Sequence, residues 1–95
     1  MYSGKKIMVY GVGKSGKSVA KLLSKDNEVT IIDEKELDNS LKEELNNYNI
    51  EFKLETDVNV CDFDLIVRSP GILPTNNLIK EALDKNIYVT NEVEI

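Results

Sequence analysis

The chain has 95 residues, 41% of them hydrophobic, with 12 basic and 17 acidic side chains and a net charge of −5. This length makes one small domain, which buries roughly 60–65% of its unfolded surface and folds with modest stability. An acidic balance argues against nucleic acid or an anionic membrane surface as partner, and the absence of histidine excludes a His-based triad or an imidazole metal site.

Lys6-Ile7-Met8-Val9-Tyr10 is a short apolar run stopped by Gly11 and Gly13, which predicts a buried strand. Val19, Ala20, Leu22 and Leu23 recur at helical spacing between Ser15 and Lys25. Glu28 to Asp33 is rich in β-branched residues, ends on a carboxylate and predicts a second strand. A second helix is expected from Ser40, with Glu43 completing a capping box and Leu41, Leu45 and Tyr48 along one stripe. Ile50 to Leu54 alternates strictly, the pattern of a half-exposed edge strand. Leu65-Ile66-Val67 is a further buried strand, closed by Ser69-Pro70-Gly71. A third helix is expected from about Asn77 through Leu78, Ile79, Ala82 and Leu83, with Asn86 as a left-handed stop, followed by a strand over Ile87–Thr90. Strands alternating with helices in this order predict a Rossmann-like, doubly wound parallel α/β sheet of about five strands with helices on both faces.

Gly11-Val12-Gly13-Lys14-Ser15-Gly16 lies between the first strand and the first helix. In that context glycines allow a tight turn and close approach of the backbone to a diphosphate, and the helix N-terminus faces the anion. Asp33 ends the second strand twenty residues beyond Gly13, where such folds hold a ribose or a base. The same residues also spell a P-loop, Gly11 followed by four residues and then Gly16-Lys17-Ser18. A P-loop needs a larger wrap and more chain than this, so Lys17 is expected to be a solvated lysine in the first helical turn. An NAD-binding half-domain of a dehydrogenase fits the glycine pattern equally well, and a stand-alone nucleotide-sensing domain is a further alternative.

Asp64-Leu65-Ile66-Val67-Arg68-Ser69-Pro70-Gly71-Ile72 and the closing run Asn86 to Ile95 carry a more specific signal. With the glycine turn, they resemble the first domain of the UDP-N-acetylmuramoyl-L-alanine:D-glutamate ligases of the Mur ligase family. The resemblance implies that this domain holds the UDP end of UDP-N-acetylmuramoyl-L-alanine. It also implies that a central domain beyond Ile95 binds ATP and magnesium, and that a last domain brings D-glutamate. The expected partners are therefore the UDP-sugar and those two domains, with no cofactor, metal or catalytic residue in the present chain. By position, Gly13, Lys14, Ser15 and Gly16 are expected at the diphosphate, and Asp33, Glu34 and Lys35 at the uracil and ribose. Ser69, Pro70 and Gly71 are expected in the loop closing beside the nucleotide. Glu34 departs from the family, which often has a neutral residue there.

Plainer roles stand beside these. Asp33 can cap the turn after its strand, Lys35 can be solvated, and Pro70-Gly71 can be a stiff turn. Arg68, the only arginine, is expected to be a solvent-facing strand end. Cys61, the only cysteine, leaves no internal disulfide. It is expected to be packed rather than reactive, since neither a basic residue nor a helix start adjoins it in sequence. No apolar run is long enough for a bilayer and no signal-peptide pattern opens the chain, so a cytoplasmic protein is expected.

Overall fold

A computed structural model describes residues 3–11, 14–33, 39–69, 72 and 75–91, without the side chains of Lys14, Ser15 and Leu41. Five strands, β1 (Lys6–Tyr10), β2 (Glu28–Asp33), β3 (Ile50–Leu54), β4 (Leu65–Arg68) and β5 (Tyr88–Asn91), form one sheet in the order β3-β2-β1-β4-β5. All of its neighbours pair in parallel. Helices α1 (Lys14–Leu23), α2 (Asn39–Leu45) and α3 (Asn77–Asp84) join successive strands. The exception is the passage from β3 to β4, which uses two 3-10 turns, Glu55–Asp57 and Val60–Asp62. This is the expected Rossmann-like sheet.

Burial follows the two-residue period of the strands. Ile7 and Val9, Val29 and Ile31, and Leu65 and Val67 pack with Ala20 and Leu23 of α1 and Leu45 of α2. Met8, Tyr10, Ile32 and Ile66 point the other way, into a cluster with Val60 and with Ile79 and Ala82 of α3. The inner strands are thus covered on both faces, which is why β1 and β4 read as unbroken apolar runs. β3 alternates half-buried and exposed residues at the edge, as expected.

The helix ends differ from expectation in places. α2 already includes Asn39 and stops at Leu45, so Ser40 lies inside the helix rather than at its cap. Tyr48 falls in the following turn, 39% exposed, with the Lys21 ammonium 5.5 Å from its ring centroid. Leu83 of α3 faces solvent rather than the core. Asn86 does take a left-handed conformation, φ 61°. The Ile87 amide then donates to the Ala82 carbonyl (2.9 Å) and the Asn86 amide to that of Leu83 (3.1 Å). These are the paired bonds of a Schellman stop.

Cys61 is exposed, contrary to expectation, in a 3-10 turn beside the end of α3. The Lys85 ammonium lies against it and against Glu81, and its pKa is raised by the hydrogen bond to Cys61 first and that to Glu81 second. Contacts of this kind cross between segments and leave no trace in local sequence.

At the amino-terminal end of the sheet, Asn27 is buried and ties three segments together. Its Nδ2 donates to the Leu23 carbonyl at the end of α1 (2.9 Å), its Oδ1 accepts from the Lys5 amide (3.0 Å), and its carbonyl accepts from Asn49 Nδ2 (3.2 Å). Asn27→Ala removes the first two, leaving the Leu23 carbonyl with the Asp26 amide (3.3 Å) and the Lys5 amide without its Asn27 acceptor. It is expected to cost about 2 kcal/mol, lowering the melting temperature by roughly 10 °C in a circular-dichroism melt.

Candidate functional site

From β1 the chain moves outward to β2 and β3, then returns to place β4 on the other side of β1. The sheet therefore has its topological switch point between β1 and β4, and ligands of such sheets sit outside the carboxyl ends of the strands there. Two open hollows, lined in part by Lys6, Glu28 and Asn49, sit towards the opposite end and lack this geometry.

The walls of the crevice meet at Gly11. Its φ of +93° is a conformation that L side chains rarely adopt. A Cβ there would lie 2.6 Å from Ser69 Oγ, 3.1 Å from Ser69 Cβ and 3.3 Å from Ile72 Cγ1. The strand ladder continues into both turns, for the Gly11 amide donates to the Ile32 carbonyl and the Ser69 amide to the Tyr10 carbonyl, each at 2.9 Å.

Beyond β1, α1 begins at Lys14, so the backbone of Lys14, Ser15 and Gly16 forms its first turn at this end of the sheet. Gly16 is buried. Across the crevice, the Ile72 amide donates to the Ser69 carbonyl (3.0 Å). Arg68, expected to face solvent, is half-buried instead and donates from Nη1 to the Ile72 carbonyl at 3.0 Å. It braces the turn that follows its own strand. Asp33 is half-buried at the end of β2, level with Leu54 of β3. Of the other expected site residues, Gly13, Glu34, Lys35, Pro70 and Gly71 lie outside the described residues. Ser69 and the start of α1 are thus brought to the same end of neighbouring strands, with Asp33 one strand further out.

Lys17 does not take the place of a P-loop lysine. Its ammonium pairs with Glu44 of α2 at 3.0 Å, and Lys21 joins the same carboxylate at 3.4 Å. The Lys17 hydrogen bond is the chief cause of a lowered Glu44 pKa, opposed by desolvation and aided by Lys21. The sign follows: this link contributes above the ordinary carboxylate range and fades as pH falls through the lowered value.

Three further residues, Tyr10, Glu55 and Asn76, gather at the carboxyl edge. The buried Tyr10 hydroxyl donates to Glu55 Oε2 at 2.6 Å and accepts from Asn76 Nδ2 at 3.2 Å. Asn76 also caps α3, its Oδ1 accepting from the amides of Leu78 (2.9 Å) and Ile79 (3.4 Å). A tyrosine ending a buried run needs a hydroxyl partner, and an asparagine before a helical pattern marks a cap, so the two ends of this link had signals but the link had none. Among the described residues no cluster of three or more Cys, Asp or Glu is placed to hold a metal ion, and no helix is long and apolar enough to cross a membrane.

Residues 5–91 match the family model for the N-terminal domain of MurD-like Mur ligases. The chain belongs to this family. A UDP-N-acetylmuramoylalanine–D-glutamate ligase from Ligilactobacillus salivarius is 40% identical over 99% of this chain and 21% of its own length. The enzyme of the same description from Oenococcus oeni is 38% identical over 99% of this chain and 20% of its own. The chain thus spans about a fifth of the length of these curated relatives. Among solved structures, a shikimate dehydrogenase in complex with NADP+ superposes with a TM-score of 0.64 over 97% of this chain and 45% of its own, at 22% identity. That likeness is one of fold.

Two substitutions test the site's geometry. Gly11→Ala places a methyl group in a left-handed turn against Ser69. The Ser69 hydroxyl can rotate away but its Cβ cannot, so a loss of about 2–3 kcal/mol is expected, read as a fall of roughly 10 °C or more in melting temperature. Lys17→Ala removes only an exposed ion pair, and its melting curve is expected to overlay that of the parent at moderate salt.

Proposed function

We propose that this domain holds the UDP moiety of UDP-N-acetylmuramoyl-L-alanine for an ATP-dependent ligase that adds D-glutamate to it in peptidoglycan synthesis. The observation that carries the reading is the junction of the Gly11 turn, the start of α1 and the Ser69 turn at the switch point of a chain belonging to the MurD-like family. Backbone amides at a helix N-terminus point outward without intrahelical partners, and the helix dipole favours negative charge there. A diphosphate fits that chemistry. In this reading the amides of Gly13 to Gly16 and the Ser15 hydroxyl donate to the diphosphate, with Lys14 beside it. Asp33, with Glu34 and Lys35, receives the uracil and ribose, and Ser69, Pro70 and Gly71 close the crevice from the β4 side.

The domain's task is to bind and orient. The pairing of Lys17 with Glu44 speaks against ATP binding in the manner of a P-loop. ATP with magnesium, and the D-glutamate that attacks the activated carboxylate, belong in this reading to other domains of the parent enzyme. A cytoplasmic location follows from those substrates.

UDP is expected to perturb the backbone amides from Gly13 to Gly16 and from Asp33 to Lys35 in an NMR titration, with NADH acting much more weakly. At ten times Kd a ligand stabilises the native state by ~1.4 kcal/mol. For a domain of this size that is a melting shift of roughly 5–10 °C. With ATP, magnesium, D-glutamate and the UDP-sugar present, the chain alone is expected to release no phosphate above a buffer control. Equal or stronger shifts with NADH would favour the dehydrogenase reading, and D-glutamate-dependent phosphate release would place catalysis in this domain after all.

A further inference from the structure

Tyr10 bonds to Ser69, just after β4, and to Asn76, just before α3. Its backbone carbonyl accepts from the Ser69 amide at 2.9 Å, where the connection begins. Its hydroxyl accepts from Asn76 Nδ2 at 3.2 Å, where the connection enters α3. The phenol is itself held by a 2.6 Å bond to Glu55 Oε2, from the turn that follows edge strand β3. A hydroxyl-to-carboxylate bond of this length is in the strong, charge-assisted range. Tyr10 is also the residue immediately before Gly11, and it stands level with Arg68 on β4 and Ile32 on β2.

A single side chain on the central strand therefore joins the segment after β3 and the start of α3, while its main chain holds the Ser69 turn. Because the Ser69 turn is packed against Gly11, its placement is the placement of one wall of the crevice. Asn76 adds leverage. Its Oδ1 already serves the first amides of α3, so its Nδ2 is the atom through which the helix start is tied to the sheet.

We propose that Tyr10 is a positioning residue of the nucleotide crevice, its carbonyl holding Ser69 beside Gly11 and its hydroxyl fixing the start of α3 at Asn76 in the geometry that binds ligand. The proposal rests on the nucleotide-binding reading above and adds to it a group that touches no ligand. Preorganisation of this kind acts on affinity, because a turn that must be ordered on binding draws on the binding energy. Removing the hydroxyl leaves the Tyr10 ring, the apolar core and the Ser69-to-Tyr10 backbone bond in place.

The test compares the 95-residue chain with its Tyr10→Phe, Glu55→Gln and Asn27→Ala variants, by calorimetric titration with UDP well below each melting temperature. Amide hydrogen exchange is measured in the ligand-free proteins. Tyr10→Phe is expected to weaken UDP binding by about fivefold to tenfold, the range for one lost hydrogen bond. Exchange at Ile72 and Leu78 is expected to quicken. Glu55→Gln keeps an acceptor for the hydroxyl and is expected to bind UDP within about twofold of the parent, a rescue that a mere charge effect would not give. Asn27→Ala loses stability at the far end of the sheet and is expected to keep its UDP affinity, which separates positioning from general destabilisation. Unchanged affinity in Tyr10→Phe, or an equal loss in Asn27→Ala, would overturn the proposal. If the parent chain itself fails to bind UDP, the nucleotide reading falls. The clamp is then decided by exchange alone: quickening at Ile72 and Leu78 in Tyr10→Phe beyond that in Asn27→Ala supports it, and its absence overturns it.

Discussion

Contact between the Gly11 turn and Ser69 governs the carboxyl end of this molecule. Two parallel strands bring their ends together only as closely as the first residues of their turns permit. Here the approach leaves no room for a single methyl group, and the backbone angle at Gly11 suits glycine. From that contact the other features follow in order. The ladder extends one bond past each strand, α1 starts at Lys14, and the Ser69 turn closes on Ile72 under the guanidinium of Arg68. A bulkier residue at position 11 would separate β1 from β4 at the place where the topology opens a crevice.

The two ends of the sheet are built on different chemistry. At the amino-terminal end, side-chain amides and carboxylates stitch loops to strands: Asn27 to Lys5 and Leu23, Asn49 to Asn27, and Asp64 to the Lys6 amide. These bonds fix where strands begin, and they use up the polar groups that make them. At the carboxyl end the described bonds lie beneath the crevice, in the Tyr10, Glu55 and Asn76 link and the Arg68 brace.

Elements dominated by periodic burial were legible in the sequence. β1, β2 and β4 are apolar because both faces are covered, β3 alternates because one face is open, and Asn86 stops α3 because its φ is positive. Features set by tertiary contact were not. The partner of Lys17 sits on another helix, and the carbonyl that holds Arg68 belongs to a turn folding back on its own strand. Ser40 matched a capping pattern, yet the helix begins before it, since a helix end is fixed by where the chain leaves the sheet as well as by local preference. At the candidate site, the glycine turn and the Ser69 turn were legible as motifs. Their mutual contact was not, because nothing local relates residue 11 to residue 69. Tyr10 was legible only as a core residue, its hydroxyl being joined to segments remote in the sequence.

The position of Cys61 has a practical side. It is the chain's only thiol, it is exposed, and it lies beside Lys85 at the end of α3, where the chain turns back to begin β5 at the foot of the sheet. Being exposed, it is open to alkylating dyes. A fluorophore or spin label attached there would occupy one defined place, on the opposite end from the Gly11 turn, and could follow tumbling or docking without obstructing the mouth of the fold.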